Sequence, residues 1–274
     1  MKRLTLYLTA LVAGGILYAC QPLAQDEATP ANLTEIDPAL EANVKSLGFS
    51  TTGMQRVAGG YIVENDIFLD EHQLDSGKQR QLTRVGNEEQ YRTTNLVNNL
   101  PRVITVTVSN NLPAGYVQAM DIAIARYNAE PLQIKFSRVN SGGDIKFVAA
   151  PAGVGYLASA GFPSGGNPYN QVKVNTSFLV ATTDPVKLNN YASIFAHEMG
   201  HCIGFRHTDY MDRSFSCNPG GPVANEGASS IGAILIPGTP AAADPNSWML
   251  ACIGSTTNRP FNANDKIALA ALYQ

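Results

Sequence analysis

The stretch His197-Glu198-Met199-Gly200-His201-Cys202-Ile203-Gly204-Phe205-Arg206-His207 reads HExxHxxGxxH and holds three of the four histidines in 274 residues. A four-residue spacing puts His197 and His201 on one face of a helix, about one turn apart. Two imidazoles so placed suit two corners of a tetrahedral zinc site, and Glu198 beside them suits a general base. Gly204 can take a positive φ that ends the helix and swings the chain back, letting His207 reach the same ion. Three protein ligands leave a fourth position for water, the arrangement of a catalytic rather than a structural zinc. The rival expectation is a surface binding module that keeps zinc as a structural or non-catalytic clip; the intact Glu198 argues for chemistry.

The N-terminus reads as a targeting segment and is set apart from the fold. Lys2 and Arg3 precede a mostly apolar run, Leu4–Tyr18, and Leu17-Tyr18-Ala19-Cys20 has the form of a bacterial lipobox with Cys20 as the lipidated residue. A plain signal peptide or a membrane helix is the alternative, although the apolar run is short for a span. The expected organisation is a lipoprotein signal peptide over 1–20, a flexible tether over 21–45, a possible prosegment over 46–100 and the catalytic domain over 101–274. Such a chain would be exported and lipid-anchored in the bacterial envelope. A net charge of −3, 15% charged residues and no basic cluster exclude nucleic acid as an expected partner.

Beyond Cys20 the cysteines are Cys202, Cys217 and Cys252. An exported chain can form one disulfide from three and leave one thiol. Cys202 falls on the helix face of Phe195 and Met199, so Cys217–Cys252 is the preferred pair and Cys202–Cys217 the alternative.

Alternating β-branched residues predict a strand over Arg102–Val108, with further strands at Tyr61–Val63 running into Ile67–Leu69, Leu132–Phe136, Asp144–Val148 and Gln171–Asn175. Val117, Met120, Ile124 and Tyr127 recur at helical spacing within Ala114–Asn128. Asp184-Pro185 opens the helix that carries the motif. A final helix is expected from Asn264, as cap, to Tyr273.

This order resembles the metzincin metallopeptidases, which implies an α+β domain: a twisted, mostly parallel sheet, a zinc-binding active-site helix, a methionine turn and a C-terminal helix. Ser247-Trp248-Met249 resembles the methionine turn, with Met211 as competitor. The run His197–Asp209, with Ala158–Ser164 and Ile236–Pro240, resembles the bacterial dual-action HEIGH metallopeptidases over roughly residues 60–274. The resemblance implies a zinc endopeptidase acting on protein or peptide substrates, with zinc on His197, His201 and His207 and Glu198 as general base. Astacin-like relatives carry a Tyr two residues after the turn methionine, where this chain has Ala251. Tyr210 is the substitute oxyanion donor, or else a surface tyrosine. Asp209 either supports a ligand from behind or is a solvated loop residue. Val63-Glu64-Asn65-Asp66-Ile67 resembles the prosegment motif in which an aspartate caps the zinc, with Asn65 where that motif has Gly; this would make Asp66 a latency ligand. A substrate peptide is expected to add to the strand at 171–175.

Overall fold

The computed structural model describes residues 36–46, 49–71, 74, 90–221, 223, 225, 233–240 and 243–274. The expected leader, Cys20 and most of the expected tether lie outside these residues. The elements in chain order are α1 (Pro38–Ser46), β1 (Gln55–Val57), β2 (Gly60–Val63), β3 (Ile67–Asp70), β4 (Tyr91–Arg92), β5 (Arg102–Val108), α2 (Tyr116–Ala129), β6 (Ile134–Arg138), β7 (Ile145–Ala149), β8 (Ala158–Ser159), β9 (Gln171–Val174), α3 (Pro185–Ile203), α4 (Ser214–Cys217), β10 (Ile234–Leu235) and α5 (Ala263–Tyr273).

The main sheet has the order β6-β5-β7-β9-β8. Its first three pairings are parallel and β8 joins β9 antiparallel. The α+β, mostly parallel architecture expected from the sequence is the one observed. In β5, Ile104, Val106 and Val108 are buried while Val103 is 58% exposed, the alternation that drives a strand to cover a core with one face. Helices α2 and α3 pack against each other and share one apolar cluster with the sheet. The buried face of α2 is Tyr116, Ala119, Met120, Ala123, Ile124 and Tyr127. Val117, read as part of that face, is 42% exposed.

Two expectations are corrected here. The tether expected to reach residue 45 gives way to a helix at Pro38, because Val44 finds an apolar partner set with Phe49, Val63 and Ile67. The strand 171–175 cannot take an added peptide, since β9 is already paired on both sides by β7 and β8. The free edge beyond β9 belongs to β8, and β3 follows it. Phe68 N–H donates to Ala160 O (2.8 Å) and Ala160 N–H donates to Asp66 O (2.9 Å), a parallel bridge.

α3 starts as read: Asp184 accepts from Val186 N–H at 3.0 Å and Pro185 fills the first turn. It ends at Gly204, whose φ of 113° no β-carbon-bearing residue adopts readily. The final helix is capped two residues earlier than expected. Asn262, not Asn264, accepts from Asp265 N–H, and Asp265 returns the bond to Asn262 N–H, each at 2.9 Å. Asn264 instead donates to Asp244.

Asp265 also accepts from Gln90 Nε2 (2.8 Å) and Trp248 N–H (3.2 Å). Burial raises its pKa to about 6, against the lowering effect of these hydrogen bonds. A carboxyl whose native pKa is raised binds more protons folded than unfolded, so stability falls as pH climbs from about 4 to about 6. The full effect is about 3 kcal/mol above that window. In Asp265→Asn that loss should vanish, because the amide does not titrate, and a flipped Gln90 can offer it the Oε1 that has no partner now. Urea midpoints from pH 4 to 7 check this, and parallel wild-type and variant curves would contradict it.

Candidate metal centre

His197 and His201 lie one turn apart on the last two turns of α3, and the reversal at Gly204 brings His207 back to face them. Together with Asp66 they form a buried group whose ligand atoms all lie within 4.8 Å of one another. His201 Nε2 and His207 Nε2 are 3.2 Å apart. Asp66 Oδ2 lies 3.0 Å from His207 Nε2 and 3.4 Å from His197 Nε2.

These residues fit a metal. His197 Nδ1 faces Trp248 O at 3.0 Å and His201 Nδ1 faces Phe205 O at 2.8 Å. A carbonyl only accepts, so both Nδ1 atoms carry the proton and both Nε2 lone pairs point inward. Such lone pairs repel unless a cation lies between them. Tetrahedral ligands at 2.0–2.1 Å from zinc stand roughly 3.4 Å apart, close to the separations seen. His197 Nε2 has no hydrogen-bond partner, as expected of an atom aimed at an ion.

Burial resists ionisation of Asp66, but positive charge on His207 beside it outweighs burial and holds the carboxyl far below its ordinary range. Burial pushes His201 well below the ordinary imidazole value, leaving it neutral as a ligand must be. Burial first, and then the Asp66 charge, push the Glu198 carboxyl well above its ordinary value. Its Oε2 has no partner, and Glu198 lines a cavity of about 220 Å³ together with His197, Asp66 and Tyr156.

Beneath the helix, Met249 is fully buried, and a β-carbon at Gly200 would come within 2.6 Å of its Sδ. Glycine there lets the sulfur approach the turn between the two ligands. Thr208 N–H, next to the third ligand, donates to Met249 O at 3.0 Å. Met211 instead accepts from Tyr91 OH.

Two sequence alternatives are settled by burial. Asp209 is 1% exposed and is no solvated loop residue. It accepts from Ala251 N–H (2.9 Å) and from Ser216 OH, fastening the chain after Met249 to the loop after His207. Cys217 and Cys252 close the same region with the expected disulfide, and Cys202 is a buried free thiol. Tyr210 is 7% exposed, so it is not a surface tyrosine. Nor does it line the cavity: it packs edge-on against Tyr91 (4.3 Å between centroids) and beside Arg206.

Three functional candidates carried no local signal in the sequence. Arg206, fully buried inside the motif, pairs with Glu64 at 3.2 Å and lies 5.1 Å over the Phe49 ring. This pair ties the segment bearing Asp66 to the residue preceding His207. Glu64 and Asn65 both hold positive φ (56° and 75°), which turns Asp66 towards the histidines. Tyr156 is 2% exposed and lines the cavity, and burial pushes its hydroxyl above the ordinary tyrosine value. Arg259 lines the same cavity.

Among the described residues, fold and donor set together define one buried group of three histidines and an aspartate able to hold a metal ion, two of them on a helix packed on a mixed sheet. The chain belongs to the dual-action HEIGH metallo-peptidase family, whose model matches residues 62–273, and it is accordingly a metallopeptidase. No curated protein matches the chain. Among solved structures it is similar to "Structure of Myroilysin" (16% identity, TM-score 0.41, 65% of this chain and 82% of that one). A second, "Crystal structure of myroilysin", matches at 16% identity and TM-score 0.40, covering 66% and 86%.

Removing one partner of a buried ion pair costs about 3 kcal/mol or more. Glu64→Ala should therefore lower the urea-unfolding stability by that order at neutral pH, while Lys45→Ala, which breaks an exposed pair with Glu41, should change it by less than about 0.5 kcal/mol. Equal effects would show that the Arg206–Glu64 contact does not hold the segment.

Proposed function

We propose that the chain is a zinc-dependent endopeptidase of the bacterial envelope, tethered through Cys20 and held latent by Asp66. One observation carries this reading: Glu198, with a carboxyl oxygen that has no partner, lines the same cavity as a histidine of a converging three-histidine group. His197, His201 and His207 would hold the zinc. The ion would supply Lewis acidity, lowering the pKa of a water towards 7 and polarising the scissile carbonyl.

The chain's own residues do the rest. Glu198 accepts the proton of the attacking water and delivers it to the leaving amine. Tyr156, which lines the cavity beside Glu198, donates its hydroxyl to the carbonyl oxygen as negative charge develops there. It takes the part that Ala251 cannot. Met249 is the apolar floor of a methionine turn and keeps the helix and the third ligand in register. Asp66 occupies the position that water needs, and Arg206 with Glu64 holds it there.

A second reading rests on Asp66 itself: four protein ligands closing the site is the pattern of a structural zinc in a binding lipoprotein. Casein hydrolysis by zinc-loaded chains starting after Cys20 separates the two. The endopeptidase reading expects slow cleavage by the intact sequence and at least about tenfold faster cleavage by Asp66→Ala. Adding Glu198→Gln to that variant should keep one zinc per chain and cut turnover by about a hundredfold or more. Asp66→Ala loaded with zinc and still silent would favour the structural reading.

Tyr156→Phe, placed in the Asp66→Ala background, should lower kcat by about a hundredfold with little change in KM. An unchanged kcat would remove Tyr156 from the chemistry.

A further inference from the structure

The cavity beside the metal group contains one cationic side chain other than histidine, Arg259. Its backbone N–H donates to Ser193 Oγ at 2.9 Å. Ser193 precedes His197 by one helical turn, which places that backbone about 6 Å along the helix axis from the first metal ligand. The guanidinium donates to Cys252 O at 3.1 Å. Among the described residues no carboxylate comes within ion-pair distance of it. Nearby Asp209 and Asp265 do not line the cavity and are engaged elsewhere, by Ala251 and Ser216 in one case and by Gln90, Trp248 and Asn262 in the other. Burial lowers the guanidinium's pKa, a mark of lost hydration, yet an arginine stays charged.

A poorly hydrated, unpaired cation beside a reaction centre gains most from a ligand that brings a carboxylate, because the fork of N–H donors matches its two oxygens. Asp66 and Glu198 line the cavity together with the histidine of the metal group, while Leu157, Ile194, Leu250 and Ile253 give it an apolar part that favours burying a side-chain stem. We infer that this cavity is a substrate subsite selecting a carboxylate, with Arg259 as its specificity-determining residue. The carboxylate comes from an Asp or Glu side chain next to the scissile bond, or from the C-terminus of a short peptide. The inference rests on the peptidase reading for its role in catalysis, whereas the binding of a carboxylate does not.

Trp248, the chain's single tryptophan, lines the same cavity and reports its occupancy by fluorescence. The zinc-loaded chain starting after Cys20 is titrated with N-acetyl-glutamate α-amide, N-acetyl-glutamine α-amide and N-acetyl-glutamine with a free α-carboxylate. A carboxylate-bearing probe should bind at least about tenfold more tightly than the neutral diamide. The probe that gains tells side chain from terminus. Arg259→Gln should abolish the difference and Arg259→Lys should keep part of it, which covers a Gln variant that fails to fold. Equal affinity for all three probes, or a preference surviving in Arg259→Gln, overturns the subsite.

Cleavage mapping on a mixed peptide pool with Asp66→Ala keeps the two readings apart. Cuts next to acidic residues or near C-termini, shifted by Arg259→Gln, support the role in catalysis. Cuts indifferent to acids overturn the subsite and leave the peptidase standing. Carboxylate-selective binding without any cleavage leaves the subsite standing and removes the endopeptidase reading.

Discussion

The whole centre depends on one repulsion. Two imidazoles are oriented by carbonyls at their Nδ1 atoms, and their inward lone pairs meet a third ring with nitrogens as close as 3.2 Å. In a buried space inward lone pairs are unfavourable unless a proton or a metal ion lies between them, and only an ion can serve all three rings at once. The two carbonyls belong to Trp248 and Phe205, which stack edge-on in the core, 4.8 Å between centroids. The ligands are thus oriented by the same residues that fill the space beneath them, so ring orientation and core packing are one problem. A distortion at Trp248 would be felt at His197 without touching the metal.

Glycine solves the close approaches. At Gly200 the missing β-carbon admits Met249 to the helix between the two ligand-bearing turns, and at Gly204 a left-handed residue sends the chain back within three residues. Thr208 then hydrogen-bonds Met249 O, so the third ligand and the methionine beneath the first two are referenced to one another. Asp209 and the Cys217–Cys252 bond extend this to the cavity wall at Leu250–Ile253. The wall that would meet substrate is therefore built on the same frame as the ligands.

What the sequence made legible was local. The HExxHxxGxxH spacing encodes a face, a stop and a return within eleven residues, and β5, β7, β9 and α3 show through period and caps. The parts that were not legible depend on partners far away in sequence. Glu64 and Arg206 are 142 residues apart, and neither has a neighbour announcing the pair. β4 and β10 are two residues each, too short for any alternation to register. The choice of Asn262 over Asn264 as cap was decided by Asp265, whose carboxylate also has to serve Trp248 and Gln90. Burial of Asp209 and Tyr210 follows from a return loop packed against Tyr91 and Ala251, which no periodicity in that loop could reveal.

The proposed latency then has a simple physical form. Asp66, Ile67 and Phe68 lie along Ala160 with two backbone hydrogen bonds, in the place where an extended peptide could run beside the same strand end. A carboxylate at the metal and a strand at the edge are each weak as separate ligands. Joined to the catalytic part through one chain, they act at an effective concentration on the order of millimolar, and the buried Arg206–Glu64 pair adds a third point of attachment. Cutting the connection changes none of these contacts. It turns an intramolecular inhibitor into a bimolecular one, which dilution removes, so such a device needs no conformational trigger beyond the loss of a covalent link.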